Sequence, residues 1–192
     1  MNIQHFYEII DPILAKKPFQ DLLIQDVSEW RCFLEFVDAY FRNRNVVNPV
    51  VVEIGTENNM QKRFYQELLN ATHIGIDIHG NPDILGDSHS QETVDILKAK
   101  LDGRKIDLLF IDGDHSYDSV KRDWKLYEPF VRYIVAFHDI YTKGHSANPE
   151  VYRLWDEIVN KEMNIPLISF KKNRPIELGW TMGIGIMLVG NL

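Results

Sequence analysis

Val50-Val51-Val52-Glu53-Ile54-Gly55 is the stretch that decides the fold. Its apolar residues run on without alternation, as in a strand buried on both faces, and Gly55 marks a tight turn at the end. Outward from it, strand and helix signals alternate. Residues 59–70 carry Phe64 and Leu68 at helical spacing, and His73–Ile78 is a short β-branched run holding an acid near its end. Ile84–Leu85 is a third short strand, and Ser90 opens a helix with Val94, Leu97 and Leu101 on one face. Ile106–Ile111 is apolar throughout apart from Asp107. Val120, Trp124 and Tyr127 mark a helix stopped at Pro129, and Tyr133–Phe137 is another strand. Asn148-Pro149 reads as a cap with proline at the first helical position, ahead of Leu154, Trp155 and Ile158. Leu167–Phe170 and Gly183–Val189 follow with no helix between them, which predicts an antiparallel pair.

Upstream of Val50, Asp26 and Glu29 form a capping-box pattern before the helical face Val27, Trp30, Leu34, Val37 and Phe41. Phe6, Ile9, Ile10, Ile13 and Leu14 predict a short helix, broken around Pro18. The whole pattern predicts an α/β chain, Rossmann-like and doubly wound. Its sheet is mostly parallel and seven-stranded, with an antiparallel C-terminal strand. An N-terminal helical extension, residues 1–25, precedes the main domain at 26–192.

The 192 residues suit one core. A formal net charge of -7 argues against a broad nucleic-acid surface, which is basic, but leaves room for a small molecule held by local cations. Cys32 is the only cysteine, so no intrachain disulfide forms; it falls in a helical pattern, where a buried, inert thiol is expected, and an intracellular, cytoplasmic setting follows. No stretch reads as a signal peptide, and the apolar run Gly183–Val189 is too short to span a bilayer. A membrane partner is therefore not expected, whereas a homo-oligomer is left open.

Ligands of such sheets bind outside the carboxyl ends of the strands, at the switch in strand order. Five successive strands end in acids: Glu53 before Gly55, Asp77, Asp87, Asp112 with His115, and Asp139 after His138. One solvated acid there would be unremarkable; five in succession point to a site.

On those residues the sequence resembles the class I S-adenosylmethionine-dependent methyltransferases. Within them it is similar to the small O-methyltransferase group of macrolide-sugar methyltransferases and cephalosporin hydroxylase relatives. The resemblance runs from about Gln25 onward. Its most specific segment is Ile106–Asp123, with the core Ile111-Asp112-Gly113-Asp114-His115-Ser116-Tyr117. Val52–Thr56, Gly75–Ile78, Leu85–Ser88, Phe137–Ile140 and Gly183–Ile186 support it in order and spacing.

The resemblance implies a cofactor site for S-adenosylmethionine. Gly55, lacking a Cβ, lets the backbone approach the methionine portion beside Thr56. Glu53 would accept from its ammonium, directly or through water. Asp77 would take the ribose hydroxyls, next to Ile78, while Asp87 and Ser88 would lie by the adenine and Asp112 would also bind the cofactor. The family's glycine pair after Gly-Thr is here Glu57-Asn58-Asn59. Asparagine enters the left-handed region readily, so the loop shape is expected to persist, with bulkier side chains narrowing the cofactor's berth.

The second half would carry the transfer of methyl to the hydroxyl of a small-molecule acceptor. Asp112, His138 and Asp139 occupy the positions where metal-dependent relatives hold Mg²⁺, with imidazole in place of the usual third acid or amide. His115 stands where the resemblance puts the general base. Asp114, Tyr117 and Asp123 are read as ordering or packing residues, and His5, His73, His89 and His145 as surface or structural.

Two rivals remain. Asp77-Ile78-His79-Gly80-Asn81, then Gly113-Asp114, His138-Asp139 and Gly144-His145, mimic the order of calcineurin-like metallophosphoesterase motifs. Against that, a strand and helix precede the first motif, and Phe137 stands where such enzymes carry an asparagine. The other rival is a non-catalytic binding protein of methyltransferase fold. The acceptor itself is not legible; the segments that would shape its pocket include 1–25, Tyr141–Pro149 and Lys171–Thr181, with Lys171, Lys172 and Arg174.

Overall fold

The computed structural model describes residues 1–15, 25–142, 150–161, 167–170 and 182–189. Pro18, the Asn148-Pro149 cap, His145, Lys171, Lys172, Arg174 and Trp180 lie outside the described residues.

Seven strands form one sheet: β1 (Val50–Ile54), β2 (Thr72–Asp77), β3 (Ile84–Leu85), β4 (Ile106–Ile111), β5 (Val131–His138), β6 (Leu167–Phe170) and β7 (Ile184–Leu188). Their order is β3-β2-β1-β4-β5-β7-β6. Neighbours pair in parallel except β7, which runs antiparallel to both β5 and β6. From β1 the chain first builds outward through β2 and β3, then returns to the other side of β1 as β4. That reversal opens the crevice at the carboxyl ends of β1 and β4.

The helices are α1 (Ile3–Ala15), α2 (Val27–Asn43), α3 (Gln61–Leu69), α4 (Gln91–Leu101), α5 (Tyr117–Tyr127) and α6 (Val151–Lys161). Alternate strand residues feed two cores. On one face Val51, Leu108, Phe110 and Ile134 pack with α1, α2 and α3. There Trp30 stacks on Phe33 and meets Phe64, Tyr65 and Phe110 edge-on. On the other face Val52, Ile54, Leu109 and Ile111 pack with α4, α5 and α6, including Trp124 and Trp155. Both faces of the central strands are thus sealed, as their unbroken apolar runs require.

Local chemistry sets the helix starts. Asp26 Oδ1 accepts from the amides of Ser28 and Glu29 at 2.9 and 3.2 Å, and Ser90 caps α4 through the Thr93 amide at 3.1 Å. Glu29 Oε2 also accepts from the Gly183 amide at 3.1 Å, so the acid of the capping-box pattern ties α2 to the start of β7.

Helix α1, the short helix expected ahead of Pro18, runs to Ala15 through Pro12, with Phe6, Ile9, Ile10 and Ile13 buried in the first core. Cys32, expected buried, is half-buried, because it lies beside rather than on the apolar face of α2. Trp30 belongs to the core, as its place on the helical face predicts. Among the described residues no helix is long and apolar enough to cross a membrane.

Candidate active site

A cavity of about 730 Å³ opens at the carboxyl ends of β1, β2, β3, β4 and β5. Of the residues singled out in the sequence, Gly55, Asp77, Ile78, Asp87, Ser88, Asp112, His115, His138 and Asp139 line it. Glu53 and Thr56 do not.

The turn after β1 forms one wall. Gly55 has φ +81°, and a Cβ there would fall 2.1 Å from the Asp112 carbonyl oxygen, so only glycine allows β1 and β4 to end this close together. Glu57 and Asn59 take the left-handed region at φ +46° and +56°. The loop therefore keeps a glycine-like path without glycine, at some conformational cost at Glu57. The Glu57 amide donates to Asp77 Oδ2 at 2.8 Å, and His79 Nδ1 lies 2.8 Å from Asp77 Oδ1.

Glu53 was expected to face the cofactor's ammonium. Its side chain is fully enclosed, with Oε2 2.8 Å from His73 Nε2. Thr56 is likewise buried, its methyl group packed against Gly75.

The end of β4 carries the densest charge. Asp112 Oδ1 meets His138 Nδ1 at 2.9 Å and His115 Nε2 at 3.4 Å, while Oδ2 accepts from Gln25 Nε2 at 2.8 Å. His115 Nδ1 lies 3.3 Å from Asp139 Oδ2, and His138 Nδ1 lies 3.7 Å from Asp139 Oδ1. Two carboxylates thus enclose two imidazoles. Burial opposes the charge on His138, but Asp112 and Asp139 outweigh it and push the ring up to about 9. The hydrogen bond to Asp112 likewise raises His115 against its burial. Burial would lift Asp112, yet His138 and His115 hold it well below the usual carboxylate range.

Asp112, His138 and Asp139 each offer a ligand atom within 4.8 Å of the others. That spacing and the donor set fit a divalent ion. Asp112, His138 and Asp139 would hold such an ion, and because their ligand atoms must be free of protons, ion and proton would compete. His138 Nε2 is buried with no hydrogen-bond partner.

Sequence reasoning missed Gln25, His79 and His89. His89 lines the cavity with Nε2 3.1 Å from Asp123 Oδ1. Gln25 and His89 meet partners remote in the chain, for which spacing gave no signal, and His79 was read only within the phosphoesterase order. Asp114 orders its loop by accepting from the Ser116 amide at 3.0 Å and Ser119 Oγ at 2.8 Å. Tyr117 bonds Glu157 and lies 2.7 Å from Lys121 Nζ, tying α5 to α6. The phosphoesterase order is not assembled among the described residues: Asp77 and His79 pair with each other, apart from the Asp112–His138–Asp139 group.

With this geometry described, the relatives become informative. Residues 57–140 match the model of a methyltransferase domain family. The fold is similar to that of the O-methyltransferase of Bacillus cereus in complex with S-adenosylhomocysteine: TM-score 0.53, 12% identity, covering 98% of this chain and 92% of that one. It is also similar to the O-methyltransferase TomG of Streptomyces achromogenes, involved in tomaymycin synthesis and complexed with S-adenosylmethionine: TM-score 0.56, 14% identity, 100% of each chain. MycE, the methyltransferase of the mycinamycin pathway in complex with Mg and S-adenosylhomocysteine, aligns at TM-score 0.63 and 17% identity. That alignment covers 97% of this chain and 55% of MycE, so the chain spans about half of that enzyme. Comparison with curated proteins gives no match. The chain therefore shares a Rossmann-like fold with these proteins, and the resemblance read from its sequence is borne out as that fold and as the match of residues 57–140 to a methyltransferase-domain model.

Proposed function

We propose that this protein transfers a methyl group from S-adenosylmethionine to a hydroxyl of a small molecule, with a divalent ion assisting. The observation that carries the reading is the meeting of Asp112, His115, His138 and Asp139 on the wall of the cavity that Gly55, Asp77 and Asp87 also line.

The cofactor supplies the methyl as a sulfonium substituent. Gly55 gives the methionine portion a close backbone approach. Asp77 receives the ribose hydroxyls; His79, with 69% of its side chain exposed, swings off Asp77 to admit them. Ile78, itself 71% exposed, offers an apolar face to the adenine, whose amino group Asp87 and Ser88 meet. Asp112, His138 and Asp139 would hold Mg²⁺ or a related ion, whose charge lowers the cost of an alkoxide at the acceptor. His115, 41% exposed at its side chain, takes the acceptor's proton on a ring nitrogen freed from its carboxylate partner. Holding the oxygen at near-attack distance does much of the rest. The charge of -7 favours a small acceptor over nucleic acid, and a cytoplasmic setting and a possible homo-oligomer belong to the same reading.

Calorimetry of the purified protein with S-adenosylhomocysteine, with and without Mg²⁺ or Mn²⁺, tests it. Binding of both nucleoside and ion is expected, with proton release on ion uptake. No nucleoside binding would remove the cofactor and leave the non-catalytic binding protein. Full activity in chelator on an accepted substrate would remove the ion and keep the transfer.

A further inference from the structure

Beneath the turn after β1, four charged side chains form a line. Glu53 and His73 are both completely enclosed, 2.8 Å apart. The His73 ring stacks on Tyr65, with centroids 5.3 Å apart and planes at 15°. Its Nδ1 lies 3.7 Å from Asp83 Oδ2, an ion-pair distance. Asp83 also accepts from the Gly75 amide at 2.9 Å and from Lys62 Nζ at 2.6 Å. Positive and negative groups thus alternate from half-exposed Lys62 inward to Glu53.

The sheet register explains the meeting. Glu53 sits opposite Gly75 in the parallel β1–β2 pair, so His73, two residues earlier, shares its face. Gly75 lets the line pack tightly under the loop: a Cβ there would lie 2.6 Å from Thr56 Cγ2 and 3.3 Å from both Asn59 Oδ1 and His73 Cε1.

A buried carboxylate without a cation beside it takes up a proton. Burial raises the Glu53 carboxyl above its ordinary range and Asp112 and Asp77 add to the rise, while His73, through its hydrogen bond and charge, is the group that opposes it. Tyr65, whose hydroxyl is buried without a hydrogen-bond partner, is neutral and supplies no charge. Asp83 and Lys62 complete the titratable groups along the line. Glu53 Oε1 is itself buried and has no hydrogen-bond partner. That oxygen does not line the cavity but lies one residue from its Ile54–Gly55 wall, so it is suited to a water that carries an ammonium across the turn.

We propose that His73 is a positioning residue that keeps Glu53 ionised beneath the Gly55 turn, so that Glu53 holds the ammonium of the cofactor's methionine end. Asp83 acts one step further back by holding the charge on His73, and Lys62 anchors Asp83 in place. This role rests on the cofactor reading above, and its test separates the two.

The experiment is calorimetry of the whole chain with two ligands. One is S-adenosylhomocysteine; the other is its desamino analogue, which keeps adenine, ribose, thioether and carboxylate but has no amine. His73→Phe should weaken S-adenosylhomocysteine by about tenfold or more, the scale of a lost charged hydrogen bond, and leave the analogue within about twofold. His73→Gln, which keeps a neutral donor toward Glu53, and Asp83→Asn should show smaller losses confined to the same ligand. These two variants decide the matter if His73→Phe does not fold. Equal losses on both ligands make His73 a packing residue and overturn the proposal, as does unchanged affinity for S-adenosylhomocysteine. A parent protein that binds neither ligand overturns the cofactor reading and this inference together.

Discussion

The two ends of β4 each carry an aspartate, and the two are satisfied in opposite ways. Asp107, at the start, accepts from the Val50 amide at 2.8 Å through Oδ2, and from Arg132 Nε and Nη2 at 2.9 and 2.5 Å through Oδ1. Asp112, just past the other end, also has three donors, but they are Gln25, His138 and His115. A guanidinium does not give up its proton in a protein, so Asp107 is locked. Imidazoles do, so Asp112 can exchange its partners for an ion or a substrate. Counting hydrogen bonds makes the two acids equal; asking whether the donors titrate separates a strut from a working site.

The largest expected effect falls on the working end. His115→Ala should lower the maximal rate of methyl transfer by roughly 10²–10⁴-fold, the usual worth of a positioned base. S-adenosylhomocysteine affinity should barely move, since its contacts are assigned to earlier strands. Arg132→Ala should leave that rate unchanged. Single-turnover rates on a hydroxyl acceptor found by screening check both, and a parent-like rate in His115→Ala would break the contrast.

Next comes Asp77→Ala. Hydrogen bonds to a charged group contribute about 1.5–3 kcal/mol, so S-adenosylhomocysteine should bind roughly 10–150-fold more weakly by calorimetry. His79→Ala should weaken it little or tighten it, because on the proposed reading the ring now on Asp77 gives way to the ribose. A loss in His79→Ala equal to that in Asp77→Ala would make the histidine a direct contact instead.

How much of this was legible follows the same division. Ile106–Ile111 and Ile84–Leu85 match their strands residue for residue, because a short apolar run, interrupted in β4 only by Asp107, leaves a strand little freedom. The strand-end acids were legible as a set because topology alone delivers them to one crevice, and Asp77, Asp87, Asp112 and Asp139 do line it. Their partners were not. Gln25 lies 87 residues from Asp112 and precedes the helix that was read. His73 meets Glu53 only once the β1–β2 register is known; the pattern showed a histidine in a strand, not which face it shared. Asp107 stood out as the exception in an apolar run, but its Arg132 clamp arises only when β5 pairs with β4. The left-handed path of 57–59 was anticipated for asparagine, and Asn59 takes it, but Glu57 does so where Asn58 does not.

At the structural end the effect is on stability. Arg132→Ala leaves Asp107 buried with one backbone donor, but Arg132 is half-exposed and water can replace part of it. A loss of about 1–2 kcal/mol in urea unfolding is expected, with cofactor affinity intact. A similar loss of cofactor binding would show that the two ends of β4 are not independent.

The smallest effect is a change in how stability depends on pH, and it sharpens the comparison by using a pair that is buried yet titrates. Burial works against a charged His73, but Asp83 and Glu53 outweigh it, so its pKa in the folded protein is raised. The folded state then binds more protons than the unfolded state above about pH 6.5, and stability must fall as pH rises there. The contribution is complete below that value and is lost as pH climbs through the raised one. His138 and His115, also raised, add to the same decline, which therefore continues toward about pH 9. Asp83 acts oppositely: His73 above all, with Lys62 and the Gly75 amide, holds it below its ordinary range, so its contribution is present above about pH 3.9 and lost as pH falls. The Glu53→Gln/His73→Gln double variant keeps amide partners at both positions and removes both titrations. Its stability should decline less steeply above pH 6.5, without losing the part owed to the other two histidines, and Asp83, deprived of its imidazole, should contribute less at the acid end. Arg132→Ala, by contrast, should shift the whole curve and leave its alkaline slope unchanged. Urea midpoints at a series of pH values measure the slopes directly. Parallel curves for parent and double variant would show that the His73 charge is the same folded and unfolded, and the buried line would then be a packing feature like the strut at Asp107.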